Sequence, residues 1–201
     1  MMKKILNNIL NGIPAGILIG ISTTMYLICP NKIVGAFLFS FGLMAICLLK
    51  LSLYTGAIGY VFITHKGILS GLLGNVIGVC GFSLLIRAYS TEIHAMSNSV
   101  LLGKMEVLPI KTFISAVVCG MLMFLAVEIF KRTDDNIVGI VTAVPCFIIC
   151  GFDHCIVSMY HLMMANSPFE LLIGTMVVSI VLVGNSLGAM VMYLLLRKRF
   201  N

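Results

Sequence analysis

The chain has 201 residues, 60% of them hydrophobic and 10% charged, with 13 Lys and Arg against 7 Asp and Glu and no Trp. A mean hydropathy of +1.13 is far above what a soluble core of this length requires. At roughly 20 apolar residues per span there is room for about six membrane helices and no separate extramembrane domain. The formal charge of +6 lies between apolar runs and at the ends, not along one face, which excludes a nucleic-acid surface and fits the flanking of spans by cations.

Lys3 and Lys4 precede the first apolar run, residues 9–29, which lacks a small-residue cleavage site and is expected to stay in the protein as a span. The second run, 33–63, is longer than a straight span needs and is interrupted by Lys50-Leu51-Ser52-Leu53-Tyr54-Thr55-Gly56. The third, 67–89, contains Leu73-Gly74-Asn75-Val76-Ile77-Gly78. Residues 90–108 read as a connection, and the fourth run covers 109–130. The fifth, 137–164, is again long and is interrupted by Gly151-Phe152-Asp153-His154. The sixth, 169–196, contains Val183-Gly184-Asn185-Ser186-Leu187-Gly188.

Six spans place both termini on one side. If that side is the cytoplasm, the inner flanks carry eight cations (Lys3, Lys4, Lys66, Lys131, Arg132, Arg197, Lys198 and Arg199) and the outer flanks four (Lys32, Arg87, Lys104 and Lys111), which favours that orientation. Irregular backbone at membrane depth is tolerated only against protein or a cavity, so matched interruptions in two halves point to a transport site. The apolar-Gly-Asn-x-x-Gly motif recurs on the third span of each half, and three spans per half give the halves opposite orientations. An inverted repeat of about 1–105 and 106–201 is therefore expected, within an all-α membrane protein. The competing reading of the motifs is ordinary close helix contact through small residues.

Among the seven acids, only Asp153 lies deep in an apolar run, with His154 beside it; Glu92, Glu106, Glu128, Asp134, Asp135 and Glu170 fall in loops or near span ends. Intramembrane charges are costly, by roughly 2.5–3.5 kcal/mol on insertion scales, and point to a functional cavity. Lys50 is a second such charge, open to two readings, an anion attractor or a structural partner of Asp153. His161 reads as an interfacial residue. The seven cysteines all lie in apolar runs and their number is odd, which argues for packing and against a disulfide framework. Cys146, Cys150, Asp153, His154 and Cys155 contain metal-ligand types, but adjacent helical residues point about 100° apart, so no metal site or cofactor is expected.

The stretch Gly151-Phe152-Asp153-His154-Cys155-Ile156-Val157-Ser158-Met159 resembles the Gly-Phe-Glu-His-Ser-x-Ala-Asn-Met signature of the formate/nitrite transporter family, which includes formate, nitrite and hydrosulfide channels. Leu53-Tyr54-Thr55-Gly56 is similar to that family's Leu-Phe-Thr loop, and Gly74-Asn75 and Gly184-Asn185-x-x-Gly188 match its third- and sixth-span motifs. The resemblance implies an aquaporin-like protomer of six helices, the second and fifth interrupted, assembled as a homopentamer with one pore per protomer. It implies a central pore histidine at His154, a loop threonine at Thr55 and a sixth-span asparagine at Asn185, with Asp153 and Lys50 at the two interruptions. It also implies an apolar constriction from Phe39, Leu43, Leu53 and Phe147, with Tyr54 and Val127 nearby.

The chain departs from the family pattern at several positions. Asp153 replaces Glu, Cys155 replaces Ser, Ser158 replaces Asn, and Phe124 stands where a fourth-span asparagine is expected. The family's lysine falls on Leu108, so that Lys104 or Lys111 would substitute for it only after rearrangement, and Lys50 and Ser52 stand in place of Gly and a carboxylate. The long amino-terminal helix and the long loop between the last two spans have no counterpart. The expected function is a cell (inner) membrane channel for small monovalent weak-acid anions or their conjugate acids, without nucleic-acid partners. The alternatives are a water or neutral-solute channel and a soft-metal transporter. With no nucleophile and base outside the membrane and no cofactor motif, an enzyme is not expected.

Overall fold

The computed structural model describes residues 2–64, 67–134 and 136–197. Lys66, Lys198 and Arg199, three of the expected inner-flank cations, lie outside the described residues, as does Asp135. The described residues form helices without strands: α1 (Met2–Ile28), α2 (Lys32–Leu48), α3 (Tyr54–Ala57) continued by a 3-10 turn (Ile58–Phe62), α4 (Ile68–Tyr89), α5 (Thr91–Met105), α6 (Pro109–Arg132), α7 (Val138–Ile149), α8 (Cys155–Leu162) and α9 (Pro168–Arg197). Among them α1, α4, α6 and α9 are long and apolar enough to cross a membrane, and α2 and α7 are shorter apolar helices. Large apolar side chains such as Phe37, Leu69, Leu85 and Phe169 are exposed on the outside of the bundle, as a lipid- or subunit-facing surface requires.

Two parallel pairs, α1 with α4 and α6 with α9, frame the molecule. Their approach is set by missing side chains. A Cβ on Gly78 would stand 2.0 Å from the Ile13 carbonyl oxygen, and one on Gly188 2.0 Å from that of Val117. Backbones this close admit only glycine, the contact through which membrane helices associate. The amino end of α1 (Asn8, Asn11) and the carboxyl end of α6 (Phe130, Lys131) line one cavity, so the two pairs run in opposite directions.

Between the pairs, α2 and α7 end in the same way. Leu51 N donates to Ile46 O (2.9 Å) and Lys50 N to Cys47 O (3.1 Å); Phe152 N donates to Phe147 O (2.8 Å) and Gly151 N to Ile148 O (3.0 Å). This is the Schellman stop, which needs a left-handed residue after the helix. That residue is Gly151 (φ 71) in one half and Lys50 (φ 53) in the other. Each stop opens a five-residue non-helical stretch, 49–53 or 150–154, before α3 or α8 begins.

Residues 91–105 correct the expected connection, because they form helix α5. Ser90 caps it by accepting from Ile93 N (3.2 Å), Glu92 lies in its first turn and Lys104 in its last. The helix packs over α8 and α9.

Candidate functional site

Each non-helical stretch is held by one asparagine. Asn75 of α4 accepts from Tyr54 N (2.8 Å) through Oδ1 and donates through Nδ2 to Gly12 O (2.9 Å) and Ser52 O (2.7 Å). Asn185 of α9 accepts from Cys155 N (2.8 Å) and donates to Ala116 O (2.7 Å) and Asp153 O (2.8 Å). Both side chains are fully buried, and each satisfies two backbone groups that the broken helix leaves without partners while tying them to a carbonyl of α1 or α6. Asn185, expected at the pore, has both amide protons committed to this framework.

The two stretches bring Thr55 and His154 together, Oγ1 to Nε2 at 3.1 Å, with Thr55 fully buried and His154 3% exposed. His154 Nδ1 accepts from Val157 N (3.4 Å), which leaves the imidazole proton on Nε2, donating to Thr55 Oγ1. The threonine proton is then free for a third partner. Phe147 stacks on the imidazole, with ring centroids 6.0 Å apart, and meets Phe39 edge-on at 6.0 Å.

A cavity opens on either side of this cluster. One, termed the inner cavity because it lies at the amino end of α1, is about 750 Å³ and has Leu43, Leu53 and Val127 among its lining residues, together with Lys50 and Lys131. The outer one, about 310 Å³, is lined by Gly151, Asp153, Ser115, Lys104 and Lys111 among others. Thr55, His154, Phe39 and Phe147 line neither cavity. They form a buried septum between the two, and Leu43, Leu53 and Val127 line its face toward the larger cavity. Tyr54 is buried beside it, its hydroxyl 2.7 Å from Ser186 Oγ.

The charges differ from expectation. Asp153 forms an ion pair with Lys104, accepts from Ser115 Oγ through Oδ2 (2.7 Å) and donates from its own N to the same hydroxyl (3.0 Å). Lys50 is therefore not its partner; it lies in the opposite cavity. Lys104 reaches Asp153 from α5, supplying from another helix the ammonium that Leu108 lacks. His161 is buried under α5 with Nδ1 2.7 Å from Ser97 Oγ, correcting the interfacial reading. Glu128, near the end of α6 as expected, is buried too, paired with Arg132 and hydrogen-bonded by Tyr60. Phe124 packs on Tyr60 (5.2 Å) and Tyr193 (6.2 Å), while Phe147 is the ring beside His154.

Comparison with known proteins agrees with this architecture. The family model described as formate/nitrite transporter matches residues 1–198. The formate channel FocB of Escherichia coli (strain K12) is 26% identical over 174 residues, 73% of this chain, which spans 62% of the length of that relative. A solved pentameric formate channel with formate bound superposes with a TM-score of 0.75 at 19% identity, covering 98% of this chain and 96% of that one. A solved FNT family ion channel gives 0.81 at 19% identity, covering 100% and 91%. These neighbours are channels, not enzymes. An all-helical chain with four apolar helices of membrane-spanning length, matched by the family model over nearly all its residues, is an integral membrane protein that belongs to the formate/nitrite transporter family.

Proposed function

We propose that this protein is a channel for a small monovalent weak-acid anion of the formate, nitrite or hydrosulfide class, and that the anion takes up a proton at His154 on its way through the septum. The observation that carries the reading is the Thr55–His154 pair, enclosed in an apolar septum between two cavities that each contain lysine. The similarity to a formate channel supports it.

The physical problem is the septum. A bare anion there loses its hydration without compensation, which is prohibitive. The Nε2–H and the Thr55 hydroxyl are two donors that an anion can bridge. With the anion in place, a proton arriving at His154 Nδ1 makes an ion pair of a lone charge, and only the long Val157 N contact has to break. The Nε2 proton then passes to the anion, the neutral acid crosses between Phe39 and Phe147, and the imidazole is left as its other tautomer. A histidine suits this because its ring has two nitrogens, one of which can accept a proton as the other gives one up. Asp153, tied to Lys104, Ser115 and Asn185, acts as a positioning residue for the stretch that presents His154.

In the same reading, α2 with α3 and α7 with α8 are two interrupted spans that complete six. The halves, about 1–105 and 106–201, form an inverted repeat. Both termini face the cytoplasm across the cell (inner) membrane, and five copies assemble, each with its own pore. The matched Schellman stops and asparagine bridges support the repeat, and the pentameric formate channel of the same fold supports the assembly.

The test is a proteoliposome flux panel of formate, nitrite, hydrosulfide, acetate and lactate at two pH values. His154→Asn retains a hydrogen bond to Thr55 but cannot titrate, and is expected to abolish the pH-dependent component of uptake. Wild-type rate and pH profile in His154→Asn would make the histidine structural. Osmotic water flux without anion flux would assign a water channel instead.

A further inference from the structure

The two cavities occupy corresponding places in the two halves, yet their charges are arranged differently. Matching the Schellman stops and the asparagine bridges pairs Lys50 with Gly151, Ser52 with Asp153, and Asn11 with Ser115. In the outer cavity the carboxylate of Asp153 is present and Lys104 neutralises it, leaving Lys111 as the cation without an ion-pair partner among the described residues. In the inner cavity no acidic side chain lines the wall among the described residues. Ser52 stands where the acid would be, its N donating to Asn11 O (3.3 Å). Lys131 is held over the ring of Tyr60, 4.1 Å from its centroid. The Glu128 carboxylate behind that ring is taken up by Arg132 and Tyr60. The Lys50 ammonium has no hydrogen-bond or ion-pair partner among the described residues, and the residue occupies a left-handed backbone position that a lysine adopts only at a cost.

A residue kept against its backbone preference, charged, unpaired and lining a 750 Å³ cavity free of acids, has a charge that local structure does not use. We infer that Lys50 is the anion-capturing residue of the inner cavity, setting the affinity with which the cargo is taken up from that face. This rests on the anion-channel reading above. An ammonium in a mouth walled by low-dielectric protein concentrates anions beyond their bulk level, and the effect fades as salt shortens the Debye length. The outer cavity, with its carboxylate present and paired, gives the cargo a weaker hold, so the channel is asymmetric in saturation.

The experiment uses the full chain in liposomes sorted to one orientation and measures formate flux into formate-free compartments from each face. Measurements are made at ~10 mM and ~1 M of an impermeant salt, where the Debye length is about 30 and 3 Å. Lys50→Gln is expected to raise the half-saturating formate concentration on the face bearing the amino end of α1 about threefold at low salt. At high salt the difference vanishes, and the opposite face is unchanged at either. Lys50→Gly, which suits the backbone, behaves like Lys50→Gln, and Lys50→Arg like wild type. Wild-type saturation in both neutral variants overturns the inference, as does a rise undiminished at high salt. If wild type passes water but none of formate, nitrite and hydrosulfide, the anion reading itself falls and this inference with it.

Discussion

The stretch after α2 and the stretch after α7 use one backbone device with two different chemistries. Both open with a Schellman stop, both run five residues, and both are bridged by an asparagine donating twice and accepting once. Their side chains have diverged: one carries Lys50 and Ser52 facing a wide cavity, the other Gly151 and a paired Asp153 facing a narrow one. The comparison teaches that the framework constrains backbone polar groups, and leaves the charge of each mouth free to vary. A residue that bonds only backbone cannot be replaced without losing the break, whereas a residue that bonds only side chains or solvent can.

The largest effects should come from the shared bridges. Asn75→Leu and Asn185→Leu each strip three hydrogen bonds from buried backbone groups, at about 1–3 kcal/mol for each group left unsatisfied. Each variant is expected to lose its folded, assembled form in mild detergent, judged by thermal unfolding and native mass spectrometry. A large loss in one and none in the other would show that the halves are not held alike.

Next come the close backbone contacts. Gly78→Ala and Gly188→Ala place a methyl group against a carbonyl oxygen that cannot yield without moving a helix. A cost of roughly 1–3 kcal/mol follows for each, and their near-equality is what a thermal melt should check.

The smallest effects separate the two stops. Gly151→Ala puts a Cβ at φ 71, where nothing lies within 4 Å, so the cost is conformational alone, about 1–2 kcal/mol. Lys50→Gly runs the other way and should stabilise by about 0.5–1 kcal/mol, since glycine is at ease at φ 53. A destabilised Lys50→Gly in denaturant or heat would mean that the lysine side chain contributes to folding after all.

Much of this was legible because the physics of a membrane writes itself locally. The apolar runs, the polar glycine-marked interruptions and the duplicated Gly-Asn motif were visible, since each is contiguous in sequence. What escaped was set by contacts distant in the chain. Helix α5 was missed because Thr91–Met105 is polar for a membrane chain, though Ser90 ahead of it, Glu92 in its first turn and Lys104 in its last are ordinary helix signals. The pairing of Lys104 with Asp153 depended on that helix, as did the burial of His161 under Ser97. The burial of Glu128 was not visible because Tyr60, which bonds its carboxylate, is 68 residues away. For Asn185, the motif marked the residue, but its three backbone partners lie at Ala116 and at Asp153 and Cys155, 30 or more residues away, and no spacing rule reveals them.

In the proposed pore, the septum between the two cavities has an electrical consequence. Cavities open to solvent conduct well and sustain little of the transmembrane voltage, so nearly all of it falls across the layer holding Leu43, His154 and Phe147. A unit charge crossing that layer exchanges about 2.3 kcal/mol with the field for every 100 mV, whereas a neutral acid crosses without sensing it. On the proposed function, the steepness of flux against membrane potential is therefore a direct reading of whether the proton has already joined the cargo when it passes the ring of Phe147.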